Sequence, residues 1–198
     1  MNLPTTPVKF HGAITTDIIN KLFPPKDANE NRMWPDEQIH SLRQNGTDKT
    51  IFNAPLVIRK FRPGDMEEAL EIDREVFGGY DPAIFAAFYE YHPGSTLIAE
   101  VAGKVAGFIL GFKQTPFEGR IFWLAIKPVH QSKGIGLSLM QEVLRIFRRM
   151  GAQSATLEVR VSNKKAQGLY SALGFHMIGI FPSYYSDGEA AIVMKRHL

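Results

Sequence analysis

Residues 155–161 read Ala-Thr-Leu-Glu-Val-Arg-Val, an alternation that puts Leu157 and Val159 on one face of a strand and Thr156, Glu158 and Arg160 on the other. A carboxylate on such a face, beside a cleft and short of water, has its pKa raised toward neutrality and can take a proton from an ammonium group. Amine acylation needs that step. The plainer alternative is a surface pairing of Glu158 with Arg160, two residues along the same face. Strands of a parallel crossover are usually covered on both faces and read as unbroken apolar runs, so a polar face here predicts a sheet that opens onto a cleft.

A second stretch lies upstream. The run Ile121 to Lys127 passes through Pro128-Val129-His130 into Gln131-Ser132-Lys133-Gly134-Ile135-Gly136 and directly into an amphipathic helix. A turn of this kind offers backbone N–H groups and the positive end of the helix dipole to an anion, and Gly134 and Gly136 let a pyrophosphate approach the main chain. A loop that merely starts a helix is the competing reading. The turn has neither the three spaced glycines of a dinucleotide fingerprint nor the Gly-Lys-Ser/Thr ending of a triphosphate loop. Beyond Glu158, Asn163 caps a helix and Tyr170 lies two turns along it, with a phenol able to reach between the two strands. Each of these two, alone, is also an ordinary cap or core aromatic.

The elements that must hold these residues are legible from Leu56 onward. A strand at Leu56 to Phe61 precedes a helix from Asp65 to Phe77, and a second helix covers Pro82 to Tyr91. Pro93-Gly94 turns into a strand at Thr96 to Val101, and Gly103 turns that into a hairpin partner, Val105 to Phe112. The strand Arg120 to Lys127 leads to a helix from Gly136 to Met150, whose Leu137, Leu139, Met140, Val143, Leu144, Phe147 and Met150 recur at the spacing of one buried face. After the strand Ala155 to Val161 come a helix from Asn163 to Leu173 and strands at His176 to Phe181 and Ala190 to Lys195. The segment from Phe122 to Val161 is expected to be a right-handed parallel crossover. Residues 1–54, punctuated by Pro24-Pro25, Pro35 and Asn45-Gly46, carry helical patterns only around 16–23 and 36–43 and read as an N-terminal extension.

Bulk properties narrow the field. The 198 residues contain no cysteine, which excludes disulfides, zinc-thiolate sites and cysteine nucleophiles. The six histidines are scattered without metal-ligand spacing, so no metal is expected. The formal charge of +3 is small and dispersed, and nucleic-acid binding does not follow from it. No apolar run reaches membrane-spanning length and no basic-then-apolar leader begins the chain, so a cytoplasmic, non-membrane protein is expected.

Gln131, Gly134 and Gly136 meet the pattern Gln or Arg, two residues, Gly, any residue, Gly or Ala. That pattern resembles the pyrophosphate loop of the GNAT superfamily of acetyltransferases. Leu157-Glu158-Val159-Arg160, Ser162-Asn163, Ala166, Leu169-Tyr170 and Gly174-Phe175 resemble the C-terminal motif of its ribosomal-protein and other protein N-terminal acetyltransferases. The resemblance implies an α/β fold, a central splayed mixed β-sheet flanked by helices, spanning 55–198. It implies transfer of acetyl from acetyl-CoA to a primary amine, foremost the α-amino group of a protein or peptide N-terminus, with a ribosomal protein one candidate acceptor. The alternatives are a lysine side chain or small-molecule amine as acceptor, or a non-catalytic acyl-CoA-binding module.

Carried over residue by residue, the resemblance makes Glu158 the general base and Tyr170 the general acid. The main chain around Gln131, Ser132, Lys133, Gly134, Ile135, Gly136 and Leu137 would hold the coenzyme pyrophosphate. Leu124, Ala125 and Ile126 would bond the pantetheine and orient the thioester, with Asn163 nearby. Tyr184 and Tyr185 resemble the paired tyrosines of a peptide-binding hairpin, while Phe77 and Tyr80 stand where the other peptide-contacting loop belongs. Adjacent tyrosines in a hairpin are otherwise ordinary cross-strand packing.

Overall fold

The computed structural model describes residues 55–79 and 81–198. The extension 1–54, its two helical patterns and Tyr80 lie outside the described residues. One seven-stranded sheet runs in the order β1-β2-β3-β4-β5-β7-β6. Its strands are β1 (Leu56–Lys60), β2 (Thr96–Val101), β3 (Lys104–Thr115), β4 (Glu118–Ile126), β5 (Ser154–Arg160), β6 (His176–Phe181) and β7 (Ala191–His197). The helices are α1 (Met66–Phe77), α2 (Pro82–Tyr91), α3 (Ile135–Arg149) and α4 (Lys164–Ala172). All neighbouring strands are antiparallel except β4 and β5, which the expected crossover through α3 makes parallel. The expected elements from Leu56 onward are therefore present. β7 runs further than its apolar pattern suggests because Arg196 and His197 complete the pairing with Ala155 and Ser154.

The sheet separates two apolar layers. On one side α3 and α4 pack through Leu139, Met140, Val143, Phe147 and Tyr170 against Ile121, Leu157 and Val159. On the other, α1 and α2 contribute Ile72, Phe85 and Phe88 against Phe108, Trp123 and Ala125. The amphipathic α3 sits close to the sheet, but Leu137 and Met150, expected on its buried face, are exposed because they lie at its two ends, beyond the packed middle. The Phe147 ring lies over two glycines, and a Cβ on Gly119 would be 2.3 Å from its Cδ2 and one on Gly111 2.8 Å from its Cζ.

Two features of β4 shape the site. Its pairing with β5 covers Glu118↔Ser154, Gly119↔Ala155 and Arg120↔Thr156 and stops there, although β4 continues to Ile126 and β5 to Arg160. The register with β3 also jumps, from Leu110↔Trp123 to Gly111↔Ile121, which leaves Phe122 as an extra, bulged residue. A bulge bends its strand and resets the alternation of side chains. Before it, Gly119 and Ile121 face α3; after it, Leu124 and Ile126 do. Phe122 and Trp123, though consecutive, both pack on the α1/α2 side.

Because the Phe147 seat is full, Gly119→Ala must displace the ring or the helix, and overpacking a filled core costs roughly 1–3 kcal/mol. The expected outcome is a lower urea midpoint with an unchanged m value. A midpoint equal to that of the native protein would show that α3 does not depend on this contact.

Candidate active site

Where β4 and β5 part, a cleft of about 770 Å³ opens, bounded by the end of α1, β4, the turn before α3, β5, α4 and the β6–β7 hairpin. That volume suits a substantial small-molecule ligand. The parity of the strands divides the cleft between the two faces of the sheet.

The α3/α4 side holds the glycine turn. Ser132 and Gly134 have left-handed backbones, φ 61° and 81°, and alternation of this kind makes concave clusters of N–H groups that bind anions. Ser138 N–H bonds back to Gly134 O at 3.0 Å, so the N–H groups of Ile135, Gly136 and Leu137 precede it at the positive helix end. A Cβ on Gly136 would meet Leu169, Ile126 and Leu124 no closer than 3.5 Å. Protein packing therefore does not demand a glycine there, whereas a ligand lying along Leu124 and Ile126 would. These features fit the phosphates and pantetheine arm of coenzyme A.

Several expected residues act differently from one another. The Gln131 side chain is a bracket: its Nε2 donates to Ile126 O at 3.1 Å and its Oε1 accepts from Lys165 Nζ at 3.1 Å. Its own N–H donates to Pro128 O. Asn163 caps α4, its Oδ1 accepting from Ala166 N–H at 3.0 Å, while its side also lines the cleft. Ser132, Ile135, Leu137, Leu124 and Ile126 line the cleft too. Ala125 points its methyl into the α1/α2 core, and Lys133 is not part of the lining, so either can serve only through its main chain or from the rim.

Glu158 stands on the opposite face, and it is neither unpaired nor bonded to Arg160. Arg120 Nη2 lies 2.9 Å from Glu158 Oε1 and Nε donates to Oε2 at 3.2 Å. Burial pushes the Glu158 carboxyl above its ordinary range, against the opposing pull of the Arg120 cation and with a further push from Glu118. Tyr170 reaches the cleft from the α4 side, and burial pushes its hydroxyl up to about 12. That hydroxyl has no hydrogen-bond partner among the described residues. A carboxylate and a protonated phenol thus line one gap from opposite faces.

The α1/α2 side is aromatic. Phe77, 42% exposed, packs on Trp123 at 5.7 Å between centroids, and Phe122 and Tyr184 extend the wall. The hairpin carrying Tyr184 and Tyr185 is tied to β5 through Arg160. Its Nη1 bonds Asp187 Oδ2 at 2.8 Å and Glu189 Oε2 at 2.7 Å, while its guanidinium lies 3.9 Å over the Tyr185 ring. Glu189 also accepts from Ser162 N–H, and these bonds together with Arg160 hold its carboxyl at about 2. The Tyr184 and Tyr185 N–H groups both donate to Glu189 O.

Arg120, Phe122, Trp123 and Arg160 were not expected in the site. The available signal for Arg120 was a charge opening an otherwise apolar run, Ile121 to Ile126. For Arg160 it was the pair of acids, Asp187 and Glu189, flanking the hairpin glycine.

Comparison with known proteins agrees with this geometry. Residues 66–175 match the acetyltransferase (GNAT) family. An uncharacterized N-acetyltransferase of Methanocaldococcus jannaschii is 36% identical over 141 residues, 70% of this chain and 90% of that protein. An N-alpha-acetyltransferase of Sulfurisphaera tokodaii is 32% identical over 154 residues, 71% of this chain and 92% of that protein. Among solved structures, Ard1 from Thermoplasma volcanium superposes with a TM-score of 0.69 at 33% identity, covering 72% of this chain and 97% of its own.

The hairpin's dependence on Arg160 is measurable without any substrate. Arg160→Ala is expected to speed amide hydrogen exchange at Tyr184, Tyr185 and Gly188 by a few-fold, while α3 amides stay unchanged. Unaltered hairpin exchange would leave Arg160 without this holding role.

Proposed function

This chain belongs to the GNAT family of acetyltransferases, and from that premise we propose that it moves acetyl from acetyl-CoA to the α-amino group of a protein N-terminus in the cytoplasm. Residues 55–198 are the transferase domain in this reading, and 1–54 an extension to it. The observation that carries the proposal is the gap between β4 and β5, which Glu158 lines from one face of the sheet and Tyr170 from the other. Acetyl-CoA supplies the acyl group as an activated thioester.

The residues divide the work by face. The N–H groups from Ser132 to Leu137 hold the diphosphate, and the parted edge of β4 from Leu124 to Ile126 offers main-chain groups that orient the pantetheine. Glu158, basic because it is buried, takes the proton from the acceptor ammonium, directly or through a water. Tyr170 keeps its proton at neutral pH and is the donor to the departing sulfur. Asn163 joins the coenzyme side through the part of its side chain left over from capping.

An α-ammonium, with a pKa of about 7.7–8.0, gives up its proton to a carboxylate more readily than a lysine ammonium near 10.4, which holds it by roughly 3.5 kcal/mol more. That difference supports an N-terminal acceptor over a lysine or polyamine. So do the hairpin tyrosines and the naming of a relative as an N-alpha-acetyltransferase. The aromatic wall of Phe77, Phe122, Trp123 and Tyr184 suits a first residue with an apolar side chain.

Peptides with free N-termini are expected to be acetylated faster than spermidine or N-terminally blocked lysine peptides, and a screen that includes ribosomal-protein N-termini would identify the preferred acceptor. A clear preference for the blocked lysine peptides or the polyamine would overturn the acceptor assignment. Glu158→Gln should lower kcat by about 10²–10⁴-fold with acetyl-CoA affinity unchanged by calorimetry. Full turnover in that variant would remove Glu158 from the chemistry. Phe77→Ala should raise KM for an apolar-first peptide several-fold and leave KM for acetyl-CoA alone.

A further inference from the structure

The pairing of Glu158 with Arg120 is close to a two-point grip. The guanidinium approaches side-on, through Nε and Nη2, and touches both carboxylate oxygens at 3.2 and 2.9 Å. Both side chains are largely buried, 8% exposed for Arg120 and 12% for Glu158. Two further donors are placed: Nη1 bonds Gln114 Oε1 at 3.1 Å and Nη2 reaches the Tyr184 hydroxyl at 3.5 Å.

As a device for stability this pair is a poor choice, since buried ion pairs are often no better than apolar side chains of the same size. Its position suggests another use. Arg120 and Thr156 form the last rung before the strands separate, and Glu158 is on the same face one alternation beyond it. The guanidinium therefore anchors the first carboxylate that faces the gap.

We propose that Arg120 is a positioning residue for Glu158: its fork fixes the carboxylate toward the gap and keeps it charged, so that it stands ready to receive a proton. The proposal rests on Glu158 being the base. A carboxylate oxygen gripped by one N–H still has a lone-pair direction free, so the grip does not block an ammonium or a water. Arginine is suited to this as lysine is not, because only its planar fork can bond both oxygens at once.

The surroundings make the cation necessary. Burial opposes the charge on Glu158, and Glu118, on β4 with Arg120, adds a second negative charge. Glu118 is itself held by Lys195 Nζ at 2.6 Å from β7 and by the hydroxyls of Ser154 and Thr156 on β5. Arg160, on Glu158's own strand, is turned to Asp187 and Glu189. Tyr184 faces the pair from the hairpin through its hydroxyl. Arg120 is thus the cation in direct contact with Glu158, and the carboxyl remains more basic than usual even with it in place. The same guanidinium reaches the hairpin, so the base and the acceptor-binding tyrosine share one anchor.

The test is a carbon-13 NMR titration of protein labelled at the glutamate carboxyl carbons, with the Glu158 signal assigned by its loss in Glu158→Gln. In Arg120→Gln the Glu158 titration is expected to move up by at least about one pH unit. Turnover at pH 7 should fall at least about tenfold and recover in part as the pH rises. In Arg120→Lys the titration should stay near that of the native protein while kcat falls several-fold. An unmoved titration in Arg120→Gln protein with native circular dichroism and native acetyl-CoA affinity would overturn the proposal. Should Arg120→Gln not fold, Arg120→Lys decides: kcat equal to native overturns the two-point grip, and reduced kcat with a retained titration supports it. The two readings fail separately, because an active Glu158→Gln enzyme would refute Glu158 as base, whereas an inactive one with an unmoved Arg120→Gln titration refutes only the role of Arg120.

Discussion

The site depends on a parting of strands. β4 and β5 share three rungs and then separate, each remaining paired to its other neighbour, β3 or β7. The sheet thereby stays whole as a scaffold while one edge of β4 is released from pairing inside the protein. Unpaired backbone amides in a protein interior are costly unless something bonds them, so this seam is a place where an extended ligand with amide groups gains more than it would on an open surface. The bulge at Phe122 accounts for the separation locally, because it bends β4 and turns its following residues over.

The same seam explains why two chemically different halves can meet without mixing. Alternation, reset by the bulge at Phe122, assigns Leu124, Ile126, Leu157 and Val159 to the α3/α4 layer, and Arg120, Phe122, Trp123 and Glu158 to the other side. The glycine turn and the aromatic wall are then kept apart by the thickness of a sheet, except at the opening itself. Polar groups near the opening are bonded in a chain from Lys195 through Glu118 to the β5 hydroxyls, and from Gln114 through Arg120 to Glu158 and Tyr184. Such a network limits the rotamers available to each member.

Much of this was legible in the residues. The clean alternation around Glu158 announced a cleft, and the periodicity of α3 with its glycine turn announced a helix start that borders it. These are local signals, set by neighbours within a turn or a strand. What remained hidden was non-local. Arg120 and Glu158 are 38 residues apart, and nothing in either segment specifies that they meet. The bulge was hidden too, because Ile121 to Ile126 is apolar throughout and gives no alternation from which a reset could be seen. Glu158 accordingly read either as an unpaired carboxylate or as a partner of Arg160 on its own strand, whereas the arginine that grips it occupies the strand next door. Gln131 and Asn163 were recognised by position, but their side-chain bonds, a bracket and a cap, emerge only when the third dimension brings Ile126, Lys165 and Ala166 to them.

The seating of α3 has a mechanical side. The helix has 15 residues, roughly 22 Å of rigid rod, with Phe147 lodged near one end and the glycine turn at the other. Its ring rests where two strands carry no side chains, so the rod has a hard stop rather than a compliant cushion. Displacement at that stop would be transmitted along the axis to the opposite tip with little loss, and ångström-scale misplacement of reacting groups is enough to slow a reaction about a hundredfold. A patch of core outside the cleft lining thus serves as the datum from which the position of the glycine turn is set.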